Sequence, residues 1–151
     1  MTINVALTKN QYIRLAILRH IQRKHFYFYA ILCAAFSAYA FIQGPQMLLL
    51  VAWVPFLLYL GVGIFDAVRE GTNPNNPLLL PTRYTFSKKG VAIKGIQGES
   101  ELQWSHFNTW KVVANCYVLA LATGPILAIP QIAIPTADRS KFEALLSNQI
   151  D

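Results

Sequence analysis

The chain has 151 residues, of which 54% are hydrophobic and 13% charged, and its formal net charge is +6. This length leaves room for one small domain beside a pair of apolar helices. Residues 1–25 contain five basic residues and no acidic residue, whereas residues 66–151 contain eight basic and seven acidic residues. The positive charge is therefore a property of the N-terminal arm, and it does not indicate a nucleic-acid partner.

The N-terminal arm, residues 1–25, is predicted to be basic and amphipathic. Its segment Thr8-Lys9-Asn10-Gln11 has the form of a capping box, which predicts that a helix begins there. Apolar and cationic residues then mix, so this helix either lies in the lipid headgroup layer or runs on into the next segment. Arg19, Arg23 and Lys24, near the end of the arm, are candidate contacts with anionic lipid.

An uncharged stretch of 40 residues, 26–65, follows the arm. The turn-forming segment Gln43-Gly44-Pro45-Gln46 divides it into two apolar runs, residues 26–42 and 47–65. At about 1.5 Å per helical residue, each run is about long enough to cross a hydrocarbon core roughly 30 Å thick. The sequence therefore predicts a two-helix transmembrane hairpin whose partner is the lipid bilayer.

The distribution of basic residues predicts the orientation of this hairpin. Lys and Arg flank both apolar runs, whereas the short connection between the runs has no charge. Because basic flanks are retained on the cytoplasmic side, both termini are predicted to be cytoplasmic, with the protein in the inner (cytoplasmic) membrane.

A cleaved signal peptide is the alternative interpretation of the first apolar run. Ala38-Tyr39-Ala40 fits the small-residue pattern of a cleavage site after a basic start. The arm is long for such a signal, and a second apolar run begins seven residues after Ala40. The mature chain would therefore still be inserted in a membrane.

Residues 66–81 are predicted to be a linker, because residues 70–77 consist largely of turn-forming residue types. From residue 82 onward, apolar and polar residues alternate, as in half-buried strands separated by turn signals. The predicted strand segments are residues 84–86, 91–94, 102–104, 110–112, 117–121 and 126–129. We therefore expect five or six antiparallel strands in this region.

The last segment returns to helical spacing. Phe142, Leu145 and Leu146 fall on one face of the predicted helix, and Ser140 or Asp138 is expected to cap its N-terminus. An amphipathic helix at this place would cover the open end of a small curled sheet. The expected unit is therefore a strand-rich domain closed by a C-terminal helix.

Several short stretches resemble one known family. They are Leu7-Thr8-x-x-x-Tyr12, Tyr84-Thr85-Phe86-Ser87-x-x-Gly90-Val91, Glu101-Leu102-Gln103-Trp104-Ser105, Trp110-Lys111-Val112, Ile129-Pro130 and Phe142-Glu143-Ala144-Leu145-Leu146. With them, the chain resembles the YcxB-like family of small bacterial membrane proteins. The chain departs from the family at Pro130-Gln131-Ile132, where members often have a basic Pro-Lys-Arg-like step.

The resemblance implies an α+β membrane protein, with a two-helix transmembrane hairpin followed by a small pleckstrin-homology-like (PH-like) domain at residues 82–151. In that description, the domain is an antiparallel β-barrel or sheet with a C-terminal capping helix. The likeness implies an architecture and no assigned activity.

Patterns for catalysis and metal binding are weak. His20, His25 and His106 belong to no metal-ligand motif, and no nucleophile is paired with a base. Cys33, in the first apolar run, and Cys116, in the strand region, are predicted to be reduced thiols that are not linked to each other. The expectation is a protein that is not an enzyme and has no cofactor or metal.

Two binding features remain. Lys88 and Lys89 lie at the tip of the first predicted hairpin, with Lys94 nearby, and are candidate contacts with anionic lipid headgroups. A solvated turn is the plainer interpretation of these lysines. A protein partner, unidentified by the sequence, could instead bind by strand addition or in the groove between the sheet and the last helix.

The predicted function is that of a membrane protein presenting a cytoplasmic module for protein or anionic-lipid binding. The alternative is a small transport or pore-forming subunit in which the hairpin oligomerises. Pro55, Gly61 and Gly63 are the residues that favour this alternative, because they permit bending and close helix packing.

Overall fold

The computed structural model describes residues 1–42 and 44–150, so Gln43 of the predicted turn lies outside the described residues. The helices and strands, in chain order, are β1 (Thr2–Val5), α1 (Lys9–Ile21), α2 (Lys24–Ile42), α3 (Met47–Thr72), β2 (Thr82–Phe86), β3 (Gly90–Gly95), β4 (Gly98–Gln103), β5 (Phe107–Val113), β6 (Cys116–Leu121), β7 (Ile126–Pro130) and α4 (Thr136–Gln149). Short 3₁₀ turns occupy Trp104–His106 and Gln131–Ala133.

The strands form two antiparallel sheets. Sheet A has the order β1-β2-β3-β4, and sheet B has the order β5-β6-β7. The α+β class is confirmed, with two apolar helices, then antiparallel strands, then a C-terminal helix. The resemblance implies a barrel or a sheet, and the described residues form sheets and no closed barrel, because the 3₁₀ turn at Trp104–His106 separates β4 from β5 and the two strands do not pair.

The first strand, β1, is not predicted by the sequence. It pairs with β2 along its whole length, with Thr2 opposite Thr85 and Val5 opposite Thr82. Ile3 and Val5 are buried, whereas Thr2 and Asn4 are exposed. The segment assigned to a basic arm therefore contributes to the same core as residues 82–150. Strands β1 and β2 are neighbours in the sheet, although the two apolar helices lie between them in the sequence.

Helix α1 begins where the capping box predicts. The Thr8 hydroxyl accepts a hydrogen bond from the Gln11 backbone N–H at 3.3 Å, and the Gln11 side chain accepts one from the Thr8 N–H at 3.0 Å. Leu15 is 1% exposed and belongs to a cluster with Leu7 and Val118 on the outer face of sheet B. Helix α1 therefore packs on protein through this face, and it ends at Ile21 before α2 begins at Lys24. Its location at the lipid headgroup layer stays a prediction.

This packing explains the composition of sheet B. Residues 116–119 of β6 are all buried, and so are residues 127–130 of β7. Because α1 covers one face and the main core covers the other, these strands have no solvent face and show continuous apolar runs in place of alternation.

Helices α2 and α3 are long and apolar enough to cross a membrane, and only 11% and 6% of their most apolar 18-residue windows are buried in the structure. The predicted linker needs correction at its start, because α3 continues beyond residue 65 to Thr72. Asp66 and Arg69 form an ion pair at 3.5 Å one turn apart, which suits a helix that leaves an apolar layer.

The connection after α3 is held by side-chain hydrogen bonds. Asn76, which is 6% exposed, donates to the Glu70 carbonyl at 3.0 Å and accepts from the Leu78 N–H at 3.1 Å. Leu78 and Leu79 then pack against the cluster around Leu15. Residues 73–81 are therefore packed against the rest of the protein over much of their length.

The strand segments predicted after residue 82 all fall in observed strands, except that Trp104 begins a 3₁₀ turn. Ala114 and Asn115, with φ of 53° and 60°, form the two-residue turn between β5 and β6. Tyr84 and Phe86 point into the core, as the alternation predicts.

Helix α4 closes the core between the sheets. The Phe142 ring packs edge-on against Phe86 at 5.0 Å and against Tyr117 at 5.2 Å between ring centroids. The Tyr117 hydroxyl donates to Glu143 at 2.7 Å. The predicted caps at Ser140 and Asp138 are wrong, because the helix begins at Thr136 after Pro135, which makes no side-chain cap.

Candidate functional site

The turn between β2 and β3 does not gather three lysines at one point. Lys88 and Lys89 are exposed at its tip. Lys94 lies five residues further along β3, roughly 16 Å away at about 3.3 Å per residue. There it forms an ion pair with Glu99, its cross-strand neighbour on β4. The tip therefore presents two of the three predicted lysines.

The other predicted cations lie where α1 meets α2. Arg19 is in the last turns of α1, Arg23 is in the connection, and Lys24 is the first residue of α2. Arg19 and Arg23 both line an open groove of about 680 Å³ between α1 and α3, called here the α1–α3 groove. The groove also contains aromatic and acidic side chains: Tyr12, Tyr29, Tyr59, Asp66 and Glu70.

One contact fixes how α1 lies against α3. The His20 and Tyr59 rings stack with centroids 4.3 Å apart, and the Tyr59 hydroxyl donates to the His20 carbonyl at 3.3 Å. His20 Nε2 lies 3.1 Å from the Tyr59 carbonyl, and since a carbonyl only accepts, Nε2 carries the hydrogen. The ring covers Gly63 so closely that a methyl group there would overlap it.

A second close approach sets the relative direction of these helices. A Cβ atom at Gly71 would come within 2.5 Å of Ile13 Cγ1, so this glycine also lies directly against α1. Ile13 lies beside Gly71 and His20 beside Gly63, so α1 and α3 run antiparallel. The expectation of close packing is confirmed at Gly63, whereas Gly61 meets nothing within 4 Å and is not a packing position.

Gly63→Ala is expected to destabilise the contact between α1 and α3 by about 1–3 kcal/mol, the usual cost of overpacking. The added methyl group would force the His20 ring away from Tyr59. The purified full chain in detergent would be unfolded by heat, with the midpoint read from fluorescence.

Gly61→Ala is the matched control, because it makes the same exchange in the same helix but faces open space. The double variant His20→Ala/Gly63→Ala should recover part of the loss, since the methyl group then has room. Equal midpoints for the Gly61 and Gly63 variants would contradict the contact.

Arg19 is a positive charge in the groove that no nearby carboxylate of the described residues neutralises. Burial, and then the charge of Arg23, lower the pKa of the Arg19 guanidinium, while Tyr12 acts in the opposite direction. An arginine remains protonated at neutral pH all the same. Within residues 1–42 and 44–150, neither Arg19 nor Arg23 forms an ion pair within 4.0 Å. The groove therefore holds a partly desolvated cation that lacks a carboxylate partner.

The acidic residues of the groove lie on α3. Asp66 and Glu70 each lie 3.5 Å from Arg69, whose side chain is 62% exposed. Exposed pairs of this kind are screened by water and contribute little. Both carboxylates consequently remain available to a cationic group in the groove.

A second cavity, of about 530 Å³, lies between the two sheets. Its walls come from the β3–β4 turn, the start of β7 and the connection after α3, with Leu80, Tyr84, Ile93 and Ile126 among its apolar members. This cavity is separate from the groove between the sheet and the last helix, which the sequence suggests as a partner site. That groove is not open, because Phe142 and Leu146 fill the space between α4 and the sheets. This cavity suits an apolar side chain more than an ion.

The described residues show no grouping of three or more His, Cys, Asp or Glu side chains that could hold a metal ion. Cys33 and Cys116 are both free and buried, which confirms that they are not linked. The Cys33 thiol donates to the Ala52 carbonyl at 3.1 Å, a contact between α2 and α3. Of the cavities described, the α1–α3 groove has the most polar and charged side chains in its lining.

Comparison with known proteins adds no relative to this description. No protein-family model matches the chain, and no curated protein sequence matches it. The family resemblance noted from the sequence stays an expectation, and function has to be argued from the groove and from the exposed apolar helices.

Proposed function

We propose that the chain is an integral protein of the inner membrane, in which α2 and α3 anchor a PH-like module for binding anionic lipid or a protein. One observation supports it above all. Of the 22 large hydrophobic side chains exposed in the described residues, 18 lie on α2 or α3. Soluble monomers rarely expose an apolar surface larger than a few hundred Å². A bilayer is the surrounding that would cover such a surface.

The pairing of β1 with β2 supports a hairpin that crosses twice. Thr2 lies opposite Thr85 in sheet A, so the N-terminus and the module must be on the same side of the proposed membrane. The basic residues Arg14, Arg19 and Arg23 favour the cytoplasm for that side under the positive-inside rule. Both termini are then cytoplasmic.

The arrangement of the module agrees with the PH-like domain that the family resemblance implies. Two antiparallel sheets enclose one core, and α4 packs across it through Phe142 and Leu146. In this proposal, the module's function is recognition of a partner. The α1–α3 groove, which is lined by residues of the arm and the apolar helices, is the polar site nearest the bilayer.

The module is held to the hairpin by packing as well as by the chain. Helix α1 contacts sheet B through Leu15 and α3 through His20, and the Lys111 amine donates to the Gln22 side chain at 3.0 Å. Arg19, Arg23 and Lys24 therefore stay beside the start of the apolar helices, at the expected headgroup level. Weak lipid contacts there benefit from a high local lipid concentration.

The proposal predicts that the full chain resists extraction from membranes by alkaline carbonate and that tags at both termini are inaccessible from outside intact cells. The reason is the pair of spans joined by a short, uncharged connection. Tag accessibility would be measured by antibody or protease, before and after permeabilisation. Release of the protein by carbonate would contradict insertion, and labelling of a terminus in intact cells would contradict the orientation.

A further inference from the structure

Charges and apolar surface follow one another along the α1–α3 groove in a definite order. Since α1 and α3 are antiparallel, the groove can be followed from the apolar helices outward. Gly63 faces His20 and Gly71 faces Ile13, so this register puts Leu58 at the apolar end of the groove, with Arg23 next. Val62 and then Arg19 follow, and the acids of α3 lie beyond them. Glu70 is one turn further out than Asp66.

Opposite charges that line one groove would normally pair with each other. Here, no ion pair within 4.0 Å joins Arg19 or Arg23 to Asp66 or Glu70 among the residues that the structure describes. The open volume between α1 and α3 leaves room for a ligand that contacts both the arginines and the carboxylates.

The order apolar, cationic, acidic is complementary to one class of lipid. A phospholipid with an ethanolamine headgroup has acyl chains, then a phosphate, then a primary ammonium. A guanidinium binds phosphate through paired hydrogen bonds, and a carboxylate accepts hydrogen bonds from an ammonium. We infer that the α1–α3 groove binds the headgroup of an ethanolamine phospholipid, with its phosphate at Arg19 and Arg23 and its ammonium at Asp66 and Glu70.

Other common headgroups fit this charge order less well. A glycerol headgroup is anionic and has no cation to offer Asp66 and Glu70. A serine headgroup brings a carboxylate towards the same two acids, and like charges repel. A choline headgroup has a cation without N–H donors, so it cannot form the hydrogen bonds that the carboxylates accept.

This inference rests on the proposed membrane location and names the lipid that the groove selects. The full chain would be reconstituted into nanodiscs that contain equal amounts of phosphatidylethanolamine, phosphatidylcholine and phosphatidylglycerol. After mild detergent extraction, mass spectrometry would count the lipids retained per protein. We expect phosphatidylethanolamine to be enriched on the order of tenfold, the effect of about one charge-assisted hydrogen bond.

Two variants separate the parts of the site. Arg19→Gln/Arg23→Gln should lose retention of phosphatidylethanolamine, whereas Asp66→Asn/Glu70→Gln should retain phosphatidylethanolamine and phosphatidylcholine equally. Lys141→Gln is the control, because it removes a positive charge at an exposed position of α4 outside the groove. An unchanged lipid profile in both groove variants would overturn the inference.

A titration of the lipid tests the inference without changing the protein. Retention by the unaltered chain should fall stepwise as the ethanolamine nitrogen acquires one, two and three methyl groups, because each methyl group removes an N–H donor. Equal retention of all four lipids would overturn the inference while leaving the membrane location intact. A chain that fails to enter nanodiscs would instead contradict the proposed function itself.

Discussion

A fragment of residues 74–151 is expected not to fold on its own, although it contains six strands and the final helix. It lacks Ile3 and Val5 of β1, which are buried in the main core, and Leu7 and Leu15, which cover sheet B. Burying each such side chain contributes about 1.5–3 kcal/mol, so their loss approaches the whole stability of a typical domain, about 5–15 kcal/mol.

The measurement is circular dichroism and thermal unfolding of the fragment, beside limited proteolysis of the full chain. Within the full chain, Ile3→Ala should cost about 2–5 kcal/mol, since it removes a buried side chain. Thr2→Ala on the same strand is the control, because Thr2 is exposed. A cooperative unfolding transition of the isolated fragment would show that β1 and α1 are dispensable.

Phe142→Ala is expected to destabilise the module by about 3–5 kcal/mol, because it leaves a cavity in a packed core. Phe142 is 1% exposed and fills the space between Phe86 and Tyr117. Deletion of residues 140–151 should have a larger effect, since Leu146, which is fully buried, is lost as well.

The full chain would be unfolded with denaturant, and protease resistance of the module would be measured at each concentration to give the unfolding midpoint. Ser147→Ala, at an exposed position of the same helix, is the matched control and should change the midpoint little. A deletion variant whose unfolding stays cooperative with the original midpoint would place α4 outside the core.

The strands after residue 82 were predictable because their signals are local. Tyr84 and Phe86 alternate with exposed neighbours, and Ala114-Asn115 marks a tight turn within a few residues of both strands that it joins. Strand β1 has no such signal. It is four residues long, and its Thr2 meets Thr85 across 83 residues of chain. A pairing so distant leaves no periodicity for a sequence window to detect.

The candidate site was predictable in its residue types but not in its arrangement. Clustered cations in the arm indicated Arg19 and Arg23 directly. That Asp66 and Glu70 line the same groove depends on α3 continuing past residue 65 and on its antiparallel packing against α1. The turn-forming residues at 70–77 led to the prediction of a linker from residue 66, where α3 in fact continues to Thr72. Lys94 was grouped with the hairpin tip by sequence distance, whereas its partner is Glu99 across the sheet.

The insertion of α2 and α3 between β1 and β2 has a consequence for biosynthesis. During translation, β1 emerges first and has no partner until β2 follows the whole hairpin. In the proposed bilayer setting, a chain that crosses once would leave β1 and β2 on opposite sides, and the core of the module could not be completed. Such a chain would expose Phe86 and Leu119, which the native core buries, to quality-control proteases. If α2 and α3 cross a bilayer as proposed, we expect the sheet to be completed, and degradation to be avoided, only in chains whose hairpin has inserted correctly.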